Sequence, residues 1–277
     1  MKKLFKGALL AAGTFAAIKG LDNRLEITRE TVTSYNLPES FDGFKIAHLS
    51  DYHNDFIPGL VEEVRGEKPN IIVCTGDMAD DEGDYLPALS LVERLCEISP
   101  VFMVTGNHDL WRADYEKMEK DMKAVGAEFL HGERVYLRRG EDKISIAGID
   151  DPFSCEKKRV SDYIKSSADK LGNCDGFDIL LFHRANLIDE FSGFGFDVVL
   201  SGHMHGGHVR IPFVGGLASP KSSLSGGESF LFPKYFGGRY EIDNTVMIVS
   251  RGLGNPTPFP RVFNRPELVI VTLESKK

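Results

Sequence analysis

Five short apolar runs, rich in β-branched residues, recur along this sequence, and each stops abruptly at a cluster of polar residues. They are Lys45–Ser50, Ile71–Thr75, Val101–Thr105, Asp178–Phe182 and Asp197–Ser201. Each run has the length of a strand, and continuous apolarity is typical of strands that are buried on both faces. The pattern therefore predicts a sheet that is covered on both sides.

Segments with helical patterning lie between the first four runs, at Leu60–Arg65, Tyr85–Ile98, Ala113–Val125 and Val160–Leu171. Strands that alternate with helices predict a largely parallel, layered α/β arrangement. Shorter runs should add strands at Val135–Leu137, Lys143–Ala147, His208–Pro212, Thr245–Ser250 and Leu268–Leu273. We expect a core of two sheets flanked by helices.

Polar residues with metal-binding or catalytic chemistry follow all five runs. In chain order they are Asp51 and His53; Asp77 and Asp80; Asn107, His108 and Asp109; His183; and His203 and His205. Ligands of open α/β sheets bind beyond the carboxyl ends of the strands, so these clusters should meet in one place. One such residue alone would be explained as a helix cap or a core residue. Their recurrence at five strand ends indicates a metal site.

The donor types restrict the metal. Carboxylate, amide and imidazole groups without a thiolate favour Mn, Fe or Zn over Cu(I) or Ca. Seven donors exceed one tetrahedral site, so we expect two divalent ions with Asp77 as the bridging carboxylate. The donors are Asp51, His53, Asp77, Asn107, His183, His203 and His205. His48 and His131 are expected to be core residues.

The five blocks in this order resemble the signature of the calcineurin-like metallophosphoesterase superfamily over about residues 45–210. They read Asp51-Tyr-His53, Gly76-Asp77-Met-Ala-Asp80, Gly106-Asn107-His108-Asp109, His183 and Gly202-His203-Met-His205. The basic, apolar N-terminus and Ser250-Arg-Gly-Leu-Gly254 resemble its membrane-associated or exported bacterial phosphodiesterases. Tyr52 and His208 differ from the residues common in that branch.

The resemblance implies a four-layer α-β-β-α sandwich of two mixed sheets and a dinuclear centre that generates a metal-activated hydroxide. One ion would bind Asp51, His53, Asp77 and His205, and the other Asp77, Asn107, His183 and His203. His108 would stabilise the transition state or protonate the leaving oxygen, and Asp109 would orient it. Asp80 is expected beside the ligands, and the candidate phosphate contacts are Arg184, Arg210 and Arg251.

The expected function is hydrolysis of a phosphoester, foremost a phosphodiester. The alternatives are a phosphomonoesterase similar to Ser/Thr phosphatases and a pyrophosphatase of the UDP-2,3-diacylglucosamine type that acts on a lipid-linked substrate. A non-catalytic scaffold with the same fold would be expected to have lost ligands or the catalytic histidine, and none is missing here.

Charge is distributed unevenly along the chain. The net charge is −8, yet residues 1–20 carry four lysines and no acid, which leaves 29 basic against 41 acidic residues, or −12, for the rest. This balance excludes a nucleic-acid binder that uses a broad basic surface.

Residues 7–18 form an uncharged stretch that follows three lysines. Twelve helical residues rise roughly 18 Å, less than a hydrocarbon core of about 30 Å. We therefore expect residues 1–24 to be a signal segment or a short membrane anchor, and residues 25–277 to be a single domain outside the cytoplasm. The glycine-rich segment 206–240 is expected to be a substrate-binding lid or a poorly structured insertion.

Overall fold

A computed structural model describes residues 19–153, 159–191, 193–220 and 230–277. Within them, strands and helices alternate through the first two thirds of the chain. The strands are β1 (Glu26–Ser34), β2 (Phe44–Leu49), β3 (Ile71–Cys74), β4 (Val101–Met103), β5 (Ala127–Phe129), β6 (Glu133–Arg139), β7 (Asp142–Ile149), β8 (Asp178–Arg184), β9 (Val198–Gly202), β10 (Arg210–Ile211), β11 (Gly215–Gly216), β12 (Gly238–Ile242), β13 (Thr245–Val249) and β14 (Glu267–Ser275). The α-helices are α1 (Leu60–Glu67), α2 (Leu86–Cys96), α3 (Asn107–Trp111), α4 (Tyr115–Ala124) and α5 (Val160–Leu171).

Two six-stranded mixed sheets form the core, as the resemblance implied. The first has the order β1-β14-β2-β3-β4-β5, in which β2 to β5 are parallel and β14 is antiparallel to β2. The second has the order β12-β13-β9-β8-β7-β6, with antiparallel pairs only at its two edges. All five predicted runs are strands of these sheets.

Alternate side chains of each strand pack on opposite faces of its sheet, and both faces are covered, which explains the continuous apolarity of the strands. Ile46 and Val73 of the first sheet pack with Ile179 and Leu181 of the second in one cluster between the sheets. Their neighbours point outward: Ala47 and Ile72 pack with α1 and α2, and Leu180 and Val199 pack with α5. The architecture is thus the predicted four-layer sandwich, and the core lies between and on both outer faces of the sheets.

The four predicted helices are present, with shifts of up to two residues at their ends. Five of the described strands and α-helices were not predicted: β1, β5, β11, β12 and the short α3. Seven of the nine residues of β1 are polar or charged, and Val32 is its one buried member. The predicted strand His208–Pro212 is reduced to β10, and segment 206–240 contains β10, β11 and the start of β12.

The predicted membrane segment falls largely outside the described residues, which begin at Lys19. Among the helices that the structure does describe, none is long and apolar enough to cross a membrane.

Gly148 marks a close approach of the two sheets. A Cβ atom at this position of β7 would lie 2.7 Å from Val104 Cγ1 and 2.7 Å from the Leu130 carbonyl oxygen, both on the side of the first sheet. We expect Gly148→Ala to lower the free energy of unfolding by about 1–3 kcal/mol, because overpacking displaces these neighbours.

Gly66 provides the matched control for this substitution. It lies in α1, and a Cβ atom at this position would have no other atom within 4 Å among the described residues. Gly66→Ala should therefore raise the free energy of unfolding by roughly 0.5–1 kcal/mol. Urea titrations of both variants measure the difference, and equal midpoints would contradict this account of the packing.

Candidate metal centre

The carboxyl ends of strands from both sheets meet at one edge of the sandwich. Gly202, which ends β9, lies so close to the end of β2 that a Cβ atom there would collide with the side chains of Ser50 and Asp51. The backbone N–H of His203 donates to Asp51 Oδ1 at 3.0 Å across the same junction. The predicted convergence of the polar clusters is therefore observed.

The first group of side chains is buried and contains Asp51, His53, Asp77 and His205, with one donor atom of each within 4.8 Å of the others. His205 Nε2 lies 3.3 Å from Asp51 Oδ1 and 3.3 Å from His53 Nε2. His53 Nε2 is also 3.9 Å from Asp77 Oδ2. These donor atoms surround a volume suited to one cation.

The second group shares Asp77 and adds His183 and His203. Asp77 Oδ2 lies 3.1 Å from His183 Nε2, which is 3.2 Å from His203 Nδ1. Asp77 is the one residue common to both buried groups, the position expected of a bridging carboxylate. The side chains predicted for each ion from the resemblance are those that the structure groups together, apart from Asn107, which lies at the same edge.

Buried ligand atoms without a hydrogen-bond partner show that divalent ions fit this cluster. Asn107 Oδ1 and Asp77 Oδ2 are buried and have no hydrogen-bond partner among the described residues. His183 Nδ1 donates to the Thr75 carbonyl oxygen at 2.7 Å, which directs Nε2 at the cluster as the atom that a metal ion would bind. Buried polar atoms are rarely left unpaired, and carboxylate, amide and imidazole donors suit Mn, Fe or Zn.

Charge within the cluster changes the pKa values of its members. Burial opposes the charged form of His183, but Asp77, Asp51 and Asp151 outweigh it and raise its pKa to about 10. Burial would raise the pKa of Asp77, yet His183 and other histidines hold it well below its ordinary value. This pair of shifts shows that the carboxylates favour a positive charge at the centre of the cluster.

Burial is the main reason that the pKa values of His203 and His205 lie well below the ordinary value. Both imidazoles are therefore neutral, the form that binds metal ions.

Strained backbone conformations concentrate at these residues. Twelve non-glycine residues of the described part have positive φ, and five of them are the predicted ligands Asp51, His53, Asp77, His203 and His205. Residues in the left-handed region cost free energy and persist only where the surrounding structure imposes them. The sandwich therefore holds these side chains in a conformation that an isolated turn would not adopt.

His108 lies at the rim of the cluster, beside the Trp111 ring, and its side chain is 21% exposed. Its Nδ1 atom is 3.3 Å from Asp80 Oδ1 and 3.1 Å from Asp81 Oδ1. Burial opposes its charged form, but these acids and Asp77 raise its pKa to about 9. Asp80 Oδ1 also lies 3.2 Å from His53 Nδ1, so one carboxylate contacts both histidines.

Asp109, which is predicted to orient His108, has other hydrogen-bond partners in the structure. The Asp109 carboxylate accepts hydrogen bonds from the backbone N–H groups of Asp77 (2.7 Å), Ala79 (3.1 Å) and Gly106 (3.0 Å). It lies in the first turn of α3 and caps that turn, because exposed N–H groups at a helix start attract a carboxylate. Asp109 thus fixes the loop that carries Asp77.

Of the three candidate phosphate contacts, the structure places only Arg184 at the centre. Arg184 Nε donates to Asp151 Oδ2 at 2.6 Å, and Nη1 lies 3.3 Å from His203 Nε2. Arg251 instead pairs with Glu26 and Glu267, and Arg210 stacks on Phe236 beside a separate groove. Distant acidic or aromatic partners, which the local sequence does not reveal, hold these two arginines elsewhere.

The two histidines expected to be core residues differ from each other. His48 is fully buried, with Nε2 2.8 Å from Thr75 Oγ1, and burial lowers its pKa to about 3. His131 is partly exposed and pairs with Asp150 and Glu119. Neither joins the cluster.

Asp81 and Asp151 are site residues that the sequence interpretation missed. Asp151 follows β7 in Ile149-Asp150-Asp151, so this strand also ends in acidic residues, and the pattern used for the other five would have found it. Asp81 stands next to Asp80, and no comparable pattern in the sequence indicates that it belongs to the site.

A cavity of about 750 Å³ opens over the cluster. Asp77, Asn107, His108, Arg184 and His203 form part of its wall. The cluster is therefore accessible to a ligand of substantial size.

Comparison with known proteins agrees with this geometry. Residues 44–207 match the model of the calcineurin-like phosphoesterase family. This chain belongs to that family, and it is a metallophosphoesterase, a hydrolase of phosphoester bonds.

Similar proteins occur in bacteria and animals. An uncharacterized metallophosphoesterase of Aquifex aeolicus is 30% identical, covering 91% of this chain and 93% of that protein. The uncharacterized metallophosphoesterase YkuE of Bacillus subtilis is 29% identical over 98% of this chain and 94% of its own length. A transmembrane protein with metallophosphoesterase domain from Danio rerio is 29% identical, covering 86% of this chain and 55% of that protein.

Removal of the shared carboxylate should disrupt metal binding. We expect the wild type, loaded with Mn and desalted, to retain two ions per chain and Asp77→Ala to retain fewer than one, because both groups lose a ligand. Elemental analysis by mass spectrometry measures the stoichiometry. Asp175→Ala, which removes an exposed acid that is distant from Asp77 in the sequence, serves as the control. Retention of two ions by Asp77→Ala would refute the sharing.

Proposed function

We propose that this chain hydrolyses phosphodiester bonds with two divalent metal ions. The observation that carries the proposal is the pair of buried donor groups that share Asp77. One ion would be held by Asp51, His53, Asp77 and His205, and the other by Asp77, Asn107, His183 and His203. Mn, Fe and Zn all suit these donors.

The bound ions would neutralise charge on the phosphoryl group and lower the pKa of a water molecule for in-line attack. The protein contributes the geometry. The Thr75 carbonyl fixes the tautomer of His183, and the Asp80 carboxylate fixes the ring of His53. The Asp109 carboxylate holds the backbone of Asp77, so the shared ligand has little freedom to move.

His108 is proposed as the residue that donates a proton to the leaving oxygen. It lines the cavity without belonging to either buried donor group, and the two carboxylates of Asp80 and Asp81 stabilise its protonated form. Its position at the rim supports contact with the departing group rather than with the ions.

The distribution of positive charge favours a diester over a monoester. A monoester carries close to two negative charges at neutral pH, whereas a diester carries one. Among the described residues that line the cavity, Arg184 is the single arginine or lysine, and Asp151 already pairs with it. Monoester hydrolysis and cleavage of a pyrophosphate in a lipid-linked substrate are the alternative outcomes of the test below.

A substrate panel tests the reaction class. Mn-loaded protein should hydrolyse bis(p-nitrophenyl) phosphate with a kcat/KM at least about tenfold above that for p-nitrophenyl phosphate, because Arg184 is the one arginine or lysine that the described lining adds to the ions and His108 for the second charge of a dianion. Chelation should abolish both activities. A preference for the monoester would replace the proposed function by a phosphomonoesterase, and no hydrolysis of either ester by the Mn-loaded protein would refute it.

The role of Asp80 can be separated from that of Asp109. Asp80→Asn should lower kcat on the diester by about 10–100-fold with a small change in KM, because His108 loses a carboxylate that stabilises its charged form and His53 loses the group that fixes its ring. Asp109→Asn should instead lower the thermal unfolding temperature, because it weakens bonds to three backbone amides. An unchanged kcat in both Asp80→Asn and the Asp80→Asn/Asp81→Asn double variant would contradict the proposed positioning of His108.

We further propose that residues 1–24 associate the chain with a membrane or direct its export, and that residues 25–277 form one domain outside the cytoplasm. The apolar stretch after three lysines supports the first part. The pairing of β1, from Glu26, with β14, up to Ser275, supports the second, because it joins the two ends of this region. Cell fractionation tests the first part, and accessibility of residues 25–277 to added protease tests the second. Protection of residues 25–277 together with the cytoplasmic proteins would refute this location.

A further inference from the structure

The cavity over the donor groups has a second, apolar wall. Trp111, Phe153, Phe230 and Phe259 line it, together with Pro256 and Pro258. These residues come from four separate parts of the chain, so the wall arises from the fold and not from one loop. It begins beside His108, since the rings of His108 and Trp111 lie 4.6 Å apart.

The aromatic residues of this wall are unusually exposed for their type. Relative exposure is 49% for Trp111, 37% for Phe153, 49% for Phe230 and 71% for Phe259. Exposed apolar surface of this kind, when it is contiguous and concave, marks a site that a ligand covers. The four rings therefore offer apolar area beside the phosphoester position that the described part of the fold leaves accessible.

The charge of the cavity wall away from the donor groups disfavours a polyanionic occupant. Within the described residues, the lining contains no lysine and a single arginine, Arg184, whose guanidinium is bonded to Asp151. A nucleoside polyphosphate or a sugar phosphate with further phosphates would place negative charge against aromatic and proline side chains. An uncharged hydrocarbon group would bury them.

We propose that the phosphodiester hydrolysed here carries an extended apolar ester group, an alkyl chain or a comparable hydrocarbon, which lies on the wall of Trp111, Phe153, Phe230 and Phe259. This inference rests on the proposed function for the position of the phosphate. The substrate class is thus an amphiphilic phosphodiester, with its charged group at the metal centre and its apolar group along the cavity.

Binding of alkanesulfonates tests the apolar wall without hydrolysis. Methane-, butane- and octanesulfonate carry the single negative charge and tetrahedral head of a phosphodiester and have no ester bond. Trp111 is the one tryptophan of the chain, so its fluorescence reports on this wall. With the Mn-loaded full chain, the Kd should fall with chain length, by up to about fourfold for each methylene that is fully buried.

Substitution of the wall locates the effect. Phe259→Ser and Phe230→Ser should reduce the ratio of the methanesulfonate Kd to the octanesulfonate Kd by at least about threefold each. Tyr35→Ser is the matched control, since Tyr35 is 71% exposed and follows the carboxyl end of β1. Strand β1 is parallel to β14, and β14 is antiparallel to β2, so β1 ends at the edge of the sheet opposite the metal centre. The control should keep the wild-type ratio.

Two binding results would overturn the proposal: a Kd independent of chain length in the wild type, or a length dependence that both phenylalanine variants retain. A parallel assay with methyl, butyl and octyl p-nitrophenyl phosphate separates this failure from that of the proposed function. Equal kcat/KM for the three esters would refute the apolar site alone. The absence of hydrolysis of all three esters would refute the phosphodiesterase activity, and the sulfonate binding result would then decide whether the apolar wall binds a hydrocarbon group.

Discussion

The carboxylate of Asp77 is the constraint on which the rest of the site depends. It is fully buried, and a buried charge is costly unless other groups compensate it. Its Oδ1 atom accepts the His108 backbone N–H at 2.7 Å, while Oδ2 faces His183 and has an unused lone pair. The protein thus surrounds the Asp77 carboxylate with side chains whose free ligand atoms a cation would bind. Because Asp77 belongs to both donor groups, its position determines where both groups lie.

The two-sheet architecture makes this arrangement possible. Asp51, Asp77 and Asn107 come from the ends of β2, β3 and β4, whereas His183 and His203 come from β8 and β9 of the other sheet. Neither sheet alone supplies either donor group, so packing between the sheets sets the distances in the site. The left-handed backbone at five predicted ligands shows that part of the folding free energy is used to hold them.

Local sequence patterns were sufficient to predict the central strands and to bring the seven predicted donor residues to one edge of the sandwich, because each of them lies within or shortly after an apolar strand. They were insufficient for groups whose role depends on distant contacts. Asp109 was assigned to His108 by adjacency, but the start of α3 turns its carboxylate toward backbone amides. Asp80 and Asp81 contact His108 from a different loop.

The apolar wall could not be predicted for the same reason. Trp111, Phe153, Phe230 and Phe259 are scattered over 149 positions and share no spacing, and only the folded chain brings them to one cavity. Edge strand β1 was missed because its mostly polar and charged residues lack the apolar signal of the central strands. Sequence therefore identified the chemistry of the centre, and the fold was needed to identify what surrounds it.

The central claim is that two ions share the Asp77 carboxylate, and electron paramagnetic resonance of the Mn(II)-loaded protein tests it most directly. We expect the spectrum of a spin-coupled Mn(II) pair at saturating metal, since Asp77 would hold both ions and the ions of two-metal sites lie roughly 3.5–4 Å apart. A spectrum of isolated Mn(II) ions at saturation would contradict the shared centre.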